Sequence, residues 1–248
     1  MSIRKSIIVF SSLLLVLTIW RMPASLVTRF LEANPQIPFN LSNTSGTLWD
    51  GNGRIKANAF RDASISWSVP ILDILLFNPS VIWKMDSNNA VLKGKSSISG
   101  SNIITITSGT IGSSLLNRIF SEYDIILDGS LSIENLSVIS DRNERFSINQ
   151  LDGLLIWTGG EITYMLAKLP VTIVSPVFEL ELFKKKPNPI QARLKTSSYN
   201  FPVLLANLSE RGNLNVKVTK AFTKIFGNEW PGADSEEQIV LELEEYIF

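Results

Sequence analysis

Apolar and polar residues alternate with a period of two along most of the chain after residue 39. Successive side chains of a strand point to opposite faces, so this alternation predicts strands with one buried face and one face in water. The longest such segment, 125–134, predicts one strand that crosses a whole sheet. The other clear segments are 54–59, 64–69, 81–85, 151–157, 178–182, 190–196, 214–218 and 239–243. We therefore predict an all-β, mainly antiparallel body, built as a long curved or twisted sheet or as a sandwich.

Short segments with apolar residues three and four positions apart interrupt the alternation. This spacing predicts helical turns over the ends of the sheet, at 71–77, 114–120, 203–208 and 221–226. Turn-forming residues separate the strands at 50–51, 78–79, 100–102, 159–160 and 187–189, and residues 227–237 predict an exposed loop. No segment has the composition of a linker, so one continuous β domain is predicted, with a weak boundary at 141–145.

The N-terminal segment differs from the rest because residues 6–20 are free of charge and mostly apolar. About 20 residues of helix cross the hydrocarbon of a bilayer, and the basic residues Arg4 and Lys5 favour a cytoplasmic N-terminus. We divide the chain into a cytoplasmic tail, 1–5, a transmembrane anchor, 6–22, and an extracytoplasmic β-rich domain, 23–248. The anchor side chains are Ile7, Phe10, Leu14, Leu17 and Trp20.

A cleaved signal peptide is the alternative for this segment, because the small residues Ala24 and Ser25 follow the apolar run. Arg21 and Pro23, directly behind the run, count against cleavage. A buried helix of a soluble protein is a further alternative, although such a helix is seldom apolar on every side. We expect an uncleaved, single-pass membrane anchor.

The composition narrows the possible chemistry. The chain has 23 Lys and Arg against 23 Asp and Glu, so its formal net charge is zero and no overall field attracts nucleic acid. It has no cysteine and no histidine, which removes thiolate nucleophiles, disulfides, the usual zinc ligands and the commonest general acid or base. A non-enzymatic protein is predicted, without a catalytic residue, a metal, a cofactor, a nucleotide or a nucleic-acid partner.

Motifs that suggest chemistry have simpler explanations. Gly94-Lys95-Ser96 resembles the end of a phosphate-binding loop, but Asn89 stands where the earlier glycine belongs and strands follow the motif. Glutamates two apart, at 179 and 181 and at 242 and 244, share one face of a strand, which is typical of a solvated surface. The run Lys184-Lys185-Lys186 predicts a solvated hairpin end.

The tryptophans at 49, 67, 83 and 157 all fall in segments with the strand pattern. A large aromatic residue in a sheet usually packs in the core, whereas an exposed row of them marks a surface for a partner. We expect these four to be core residues.

Two stretches carry a family resemblance. The first is Ser45-Gly46-Thr47-Leu48-Trp49-Asp50-Gly51, with Pro23-Ala24 before it and Ile65-Ser66-Trp67, Pro70 and Leu75-Leu76 after it. The second is Gly153-Leu154-Leu155-Ile156-Trp157. In these stretches the chain resembles the type II secretion system protein N family, also called general secretion pathway protein N. Phe77-Asn78 departs from the family pattern, in which a glycine follows the Leu-Leu pair.

The resemblance implies a single-pass inner-membrane protein of Gram-negative bacteria, whose periplasmic domain belongs to the machinery that exports folded proteins. Its partners are then other type II secretion subunits, and membrane lipid through the anchor. The matching residues are Gly46, Trp49, Gly51, Trp67, Gly153 and Trp157. The resemblance implies that they share the family's architecture and that they form no reactive site. Two other functions stay open, a periplasmic lipid-binding or lipid-transfer protein with an apolar β groove and, least favoured, a hydrolase that uses serine and lysine.

Overall fold

The computed structural model describes residues 3–33, 39–57, 62–142 and 147–247. The helices are α1 Ile3–Trp20, α2 Ser25–Glu32, α3 Ile71–Leu75, α4 Ser113–Phe120 and α5 Lys220–Ile225. The strands are β1 Phe39–Gly46, β2 Asp50–Ala57, β3 Ala63–Ser68, β4 Ser80–Ser87, β5 Ala90–Ser99, β6 Asn102–Gly112, β7 Ile126–Leu127, β8 Ser130–Asp141, β9 Ile148–Trp157, β10 Gly160–Leu166, β11 Leu169–Ser175, β12 Phe178–Lys185, β13 Ile190–Thr196, β14 Leu204–Leu208, β15 Asn213–Thr219 and β16 Ile239–Tyr246. The chain divides into two compact units, 1–88 and 89–248.

In the first unit, β1, β2, β3 and β4 lie side by side in that order, and each neighbouring pair is antiparallel. Their sequences alternate, so one face of the sheet is apolar and carries the buried residues Leu41, Ile55, Ala63 and Met85. The opposite face carries serines and charged residues. A bulge in β1 between Ser42 and Ser45 changes the register just before the β1–β2 turn.

In the second unit, the large sheet runs in the order β5, β6, β8, β9, β12, β13, β14, β15 and β16. Directly opposed residues form apolar rows across it. One row consists of Ile133, Leu155, Leu180, Leu194, Leu204, Val218 and Leu241, and the next consists of Gly153, Leu182, Ala192, Ala206, Val216 and Leu243. We call the side that carries these rows the apolar face, and the opposite side the polar face.

A second, small sheet of the order β11-β10-β7 belongs to the same unit. Together with α4 and α5 it supplies Leu116, Ile162 and Ala221 to a hydrophobic core whose other buried members are Trp157, Phe178 and Val203. Trp157 and Phe178 are opposed on β9 and β12, and their rings stack with centroids 5.9 Å apart. The core therefore covers the end of the apolar face at which these two rings lie.

The prediction of a mainly antiparallel β body with short helices is confirmed. The helical turns predicted at 71–77, 114–120 and 221–226 correspond to α3, α4 and α5. The helical turn predicted at 203–208 is wrong, because residues 204–208 form β14. Ala206 lies between Ala192 of β13 and Val216 of β15. Pairing with a strand on each side outweighs the weak local helical spacing.

The single strand predicted over 125–134 is also wrong. β7 pairs with β10 in the small sheet, whereas β8 pairs with β6 and β9 in the large one. Between them Gly129 has a φ of +80°, and a Cβ there would lie 2.4 Å from the carbonyl oxygen of Gly159. Only glycine fits such a position, so the chain changes sheets at this residue while its apolar alternation continues.

Some predictions fall partly outside the described residues, namely the end of the 54–59 strand (58–59) and most of the weak boundary (143–145). Helix α2 was not predicted at all.

Within the part of the chain that the structure describes, no helix has the length and hydropathy of a membrane span.

Candidate functional site

The first family stretch forms a tight turn between β1 and β2, and we call residues 45–51 the tryptophan hairpin. The amide of Thr47 donates to the carbonyl of Asp50 at 2.7 Å, and the Asp50 amide donates to Thr47 Oγ1 at 3.1 Å. Gly46 has a φ of +88°, and a Cβ at this residue would lie 2.5 Å from the Asp50 carbonyl oxygen. The turn therefore needs glycine at its first position. The expected turn at 50–51 lies slightly earlier, because Asp50 and Gly51 already belong to β2.

The indole of Trp67 supports this hairpin from the neighbouring strand. Trp67 is opposed to Gly51 across β2 and β3, and a Cβ at Gly51 would lie 2.5 Å from Trp67 Cζ2. The ring thus occupies the space that any larger residue at 51 would need. Its Nε1 donates to the carbonyl of Leu48 at 3.1 Å. Trp67 consequently fixes the position of the turn through both packing and a hydrogen bond.

The outer side of the hairpin contacts the end of α1. Trp49 Nε1 donates to the carbonyl of Ile19 at 2.9 Å, and the Leu48 amide donates to the carbonyl of Met22 at 2.8 Å. In the reverse direction, the amide of Ala24 donates to the carbonyl of Gly46 at 3.1 Å. The last carbonyls of a helix have no i+4 partner within the helix, and that of Ile19 accepts both from Trp49 and, at 3.2 Å, from the amide of Met22. We call residues 19–24 with the tryptophan hairpin the helix–hairpin junction.

The junction is closed by Ala24 and α2. Ala24 is 1 % exposed, so the chain at this residue is packed and has no room for a larger side chain. Helix α2 follows at once and contacts β1, where Thr28 Oγ1 and Thr44 Oγ1 lie 3.2 Å apart. The direction in which the chain leaves α1 is therefore set by the sheet of the first unit.

The predicted anchor residues all belong to α1. Ile7, Phe10, Leu14, Leu17 and Trp20 are between 51 % and 66 % exposed. Every other α1 side chain that the structure describes is exposed as well. The described surface of this helix is thus apolar and has no packed face, in contrast to the half-buried residues of the sheet.

The second family stretch lies in β9 of the second unit and has its own tryptophan contact. Trp157 is 8 % exposed, and its Nε1 donates to the carbonyl of Asp128 at 2.9 Å. Gly153 faces the bulge of β8, where a Cβ would lie 2.9 Å from Leu136 Cα. The roles resemble those in the first unit, since a strand tryptophan binds the carbonyl of a turn and a glycine leaves room for a neighbour.

The structure thus brings Gly46, Trp49, Gly51 and Trp67 together, and it places Gly153 and Trp157 in the other unit. Of the tryptophans expected in the core, Trp157 is buried, whereas Trp49, Trp67 and Trp83 are half-buried. Ile19, Met22 and Leu48 complete the junction through backbone atoms, and these contacts were not predicted from the sequence. Because every residue has the same backbone carbonyl, the sequence does not mark which carbonyls accept these bonds. The small Ala24 after Pro23 was the one sequence feature that indicated a close contact at the junction.

One charged residue lies where the sequence did not predict it. Lys184 was expected at a solvated hairpin end, but its side chain is 4 % exposed and its Nζ lies 2.9 Å from Glu210 Oε1. The hydrogen bond from Lys184 and the charge of its ammonium lower the pKa of Glu210. The burial follows from position, because Lys184 is opposed to Leu151 on the apolar face. The lysine is therefore a structural ion pair and not a free surface cation.

Among the described residues, no group of three or more acidic side chains is arranged to hold a metal ion. The glutamates at 179, 181, 242 and 244 lie on the polar face, as predicted, opposed to residues such as Lys195 and Lys217.

Comparison of the chain with protein-family models, with curated proteins and with solved structures found no match. The helix–hairpin junction is therefore the feature on which a functional proposal is built.

Proposed function

We propose that this protein is a non-catalytic accessory subunit of a type II secretion system. In this proposal α1 anchors it in the inner membrane, and the sheets lie in the periplasm, where they contact other subunits of the apparatus. The observation that carries the proposal is the helix–hairpin junction. Two separate parts of the family resemblance, Pro23-Ala24 and the tryptophan hairpin, meet there, and the Ala24 amide donates to the Gly46 carbonyl.

The surface of α1 supports its role as an anchor. Apolar surface in water costs roughly 25 cal/mol for each Å² that burial would remove, and the described side chains of α1 are exposed on all sides. A bilayer removes this cost without requiring a packed face. Arg4 and Lys5 precede the apolar run and favour a cytoplasmic N-terminus.

The contacts of the junction support a role in positioning. An accessory subunit that contacts its neighbours at a defined place needs a fixed geometry between its anchor and its sheet. Hydrogen bonds from Trp49 and Leu48 to the end of α1 give such a geometry, and the packed Ala24 leaves little freedom for the connecting residues. A flexible linker would be expected if the anchor served only as a tether.

The test is a clean chromosomal deletion in the source bacterium, with export of a secreted protein measured in the culture medium. We expect export to be lost and to return when the wild-type chain is supplied. A chain with Trp49→Phe should restore export only in part, because a phenyl ring keeps some of the packing but cannot donate the hydrogen bond to the Ile19 carbonyl. Unchanged export in the deletion strain would contradict the proposal.

A second function, binding of lipid acyl chains, is favoured by the apolar face of the second unit. The core covers this face at Leu131, Trp157, Phe178 and Leu194. Further along the same strands the face continues through residues that are only half-buried: Leu136, Val138, Leu180, Leu182, Ala206 and Leu214. A continuous apolar surface of this kind is typical of sites that bind lipid or another apolar partner.

Lipid extracted with the purified full chain distinguishes this second function. Lipid binding is supported if the wild type and Thr110→Asp, on the polar face, retain a stoichiometric lipid and Leu182→Asp, on the apolar face, loses it. If the chain carries no lipid, or if both variants retain it equally, the apolar face does not bind acyl chains.

A further inference from the structure

Strand β16 forms the edge of the large sheet in the second unit. It pairs with β15 on one side and is the last strand of the order, so no described strand lies against its other side. It has eight residues, Ile239–Tyr246, and contains no proline. Alternate residues of an edge strand direct their N–H and C=O groups outward, where another strand can bind them. Such an edge is a site for strand addition unless something prevents it.

The side chains of β16 present two different surfaces along this edge. Leu241 and Leu243 end the apolar rows, opposed to Val218 and Val216, and they are 36 % and 52 % exposed. Glu242 and Glu244 lie on the polar face. The edge is therefore apolar on one side and acidic on the other, and a matching strand must alternate in the same way.

The charges on the polar face indicate the sign that the next strand should carry. One polar row contains Glu181, Arg193, Leu205, Lys217 and Glu242 in neighbouring strands. Wherever two charged residues are neighbours in this row, one is acidic and the other is basic. Lys217 Nζ lies 3.1 Å from Glu242 Oε1. In the neighbouring row Glu244 accepts a neutral amide hydrogen bond from Asn215 Nδ2 at 3.2 Å. Both rows therefore end on a carboxylate at the free edge.

A second copy of this chain fits the edge poorly. If β16 pairs with β16 of another copy in the antiparallel sense, opposed residues share a face. A register centred on Leu243 then places Glu242 against Glu244 and Glu244 against Glu242. Like charges directly opposed destabilise a pair of strands. The acidic residues therefore act against self-association and favour a basic partner.

We propose that the free edge of β16 binds an extended segment of another protein in which basic and apolar residues alternate. The segment adds one strand to the sheet. Its apolar side chains cover Leu241 and Leu243, its basic side chains face Glu242 and Glu244, and its backbone bonds the outward groups of β16. This inference concerns a different surface from the helix–hairpin junction, and it holds whether or not the protein serves in secretion.

The test uses the full chain in detergent and a fluorescein-labelled peptide of alternating lysine and valine, with binding followed by fluorescence anisotropy. One control peptide replaces each lysine by glutamate. A second control keeps the lysines but carries N-methyl groups along one backbone edge, which removes the donors for strand pairing. We expect the lysine peptide to bind about tenfold or more tightly than either control, a difference of about 1.4 kcal/mol.

Variants of the chain locate the site. The double variant E242K/E244K should prefer the glutamate peptide, and the milder E242Q/E244Q should weaken binding of the lysine peptide without reversing the preference. Glu179→Lys is the matched control, since it changes an exposed acid on the polar face of an interior strand. It should bind the lysine peptide as the wild type does.

Three outcomes would overturn the proposal. Equal binding of the N-methylated peptide would show simple attraction of charges. An equal loss in Glu179→Lys would show that the acidic face as a whole binds the peptide. Concentration-dependent dimerisation of the wild type that E242K/E244K abolishes would show that the edge binds a second copy.

Discussion

Trp49 Nε1 donates a hydrogen bond to the carbonyl of Ile19 over 2.9 Å, although 30 residues separate the two in the chain. The donor is at the tip of a hairpin and the acceptor is in the last turn of α1. The hairpin also accepts a hydrogen bond from within the sheet, because Trp67 Nε1 donates to the Leu48 carbonyl. The hairpin is therefore held from both sides. In this arrangement Trp49 and Trp67 hold the hairpin by hydrogen bonds, and Gly46 and Gly51 leave the room that it needs.

We expect Trp49→Phe to lower the free energy of unfolding by about 1 kcal/mol, the usual net value of one hydrogen bond. The phenyl ring keeps most of the packing and removes only the donor to Ile19. Thermal unfolding followed by circular dichroism measures the change. Trp230→Phe in the exposed loop is the control and should leave the midpoint unchanged. An equal effect of the two substitutions would show that the Trp49 hydrogen bond contributes nothing.

Gly51→Ala should destabilise the first unit by about 1–3 kcal/mol, because the new methyl group meets the Trp67 ring and the Thr47 carbonyl, 2.5 Å and 2.8 Å from the added Cβ. Trp67→Leu in the same chain makes room and should recover part of the loss, so the two changes are not additive. Gly100→Ala is the comparison, because a Cβ there meets no atom within 4 Å although φ is +60°. If the double variant shows simple additivity, the contact between residues 51 and 67 is not the cause.

The Lys184–Glu210 pair should make stability depend on pH. The Lys184 ammonium lowers the pKa of Glu210 below its ordinary value of 4.5. A carboxyl with a lowered pKa in the folded state contributes stability above its unfolded pKa and loses it as the pH falls through the folded pKa. We therefore expect Glu210→Gln to be less stable than the wild type at pH 7, with the difference vanishing in acid.

Unfolding of both proteins in urea between neutral and acid pH measures this difference. Glu245→Gln, an exposed acid on β16, serves as the control and should follow the wild type. Lys184→Met should restore the stability of Glu210→Gln, since a buried apolar side chain does not need a counter-ion. A constant gap between wild type and Glu210→Gln at every pH would rule out the ion pair as its origin.

The anchor proposal predicts where each end of the chain lies. Alkaline phosphatase fused after residue 248 should be active, because it folds only outside the cytoplasm, and the full chain should remain in the membrane fraction after alkaline extraction. Leu14→Arg, in the middle of α1, should release the chain from the membrane, because a charge in the hydrocarbon is costly. Release of the wild type by alkali would instead indicate a cleaved or peripheral segment.

Much of the sheet followed from the sequence. The segments 81–85, 151–157, 190–196 and 214–218 lie within β4, β9, β13 and β15, because alternation is a local property that each segment carries by itself. The candidate site followed only in part. Gly46, Trp49, Gly51 and Trp67 were singled out by resemblance, but their partners at Ile19 and Met22 are backbone carbonyls that no pattern of side chains marks.

The sequence by itself determined that the body is antiparallel β with two unlike faces, that a run of apolar residues precedes it, and that the chain has no cysteine or histidine. Only the tertiary structure decided which strands join which sheet. It divided 125–134 at Gly129, made 203–208 a strand and buried Lys184 against Glu210. The physical reason is that alternation of apolar and polar residues is local and indicates which face of a strand is buried. Strand pairing, sheet membership and ion partners depend instead on residues far away in the chain.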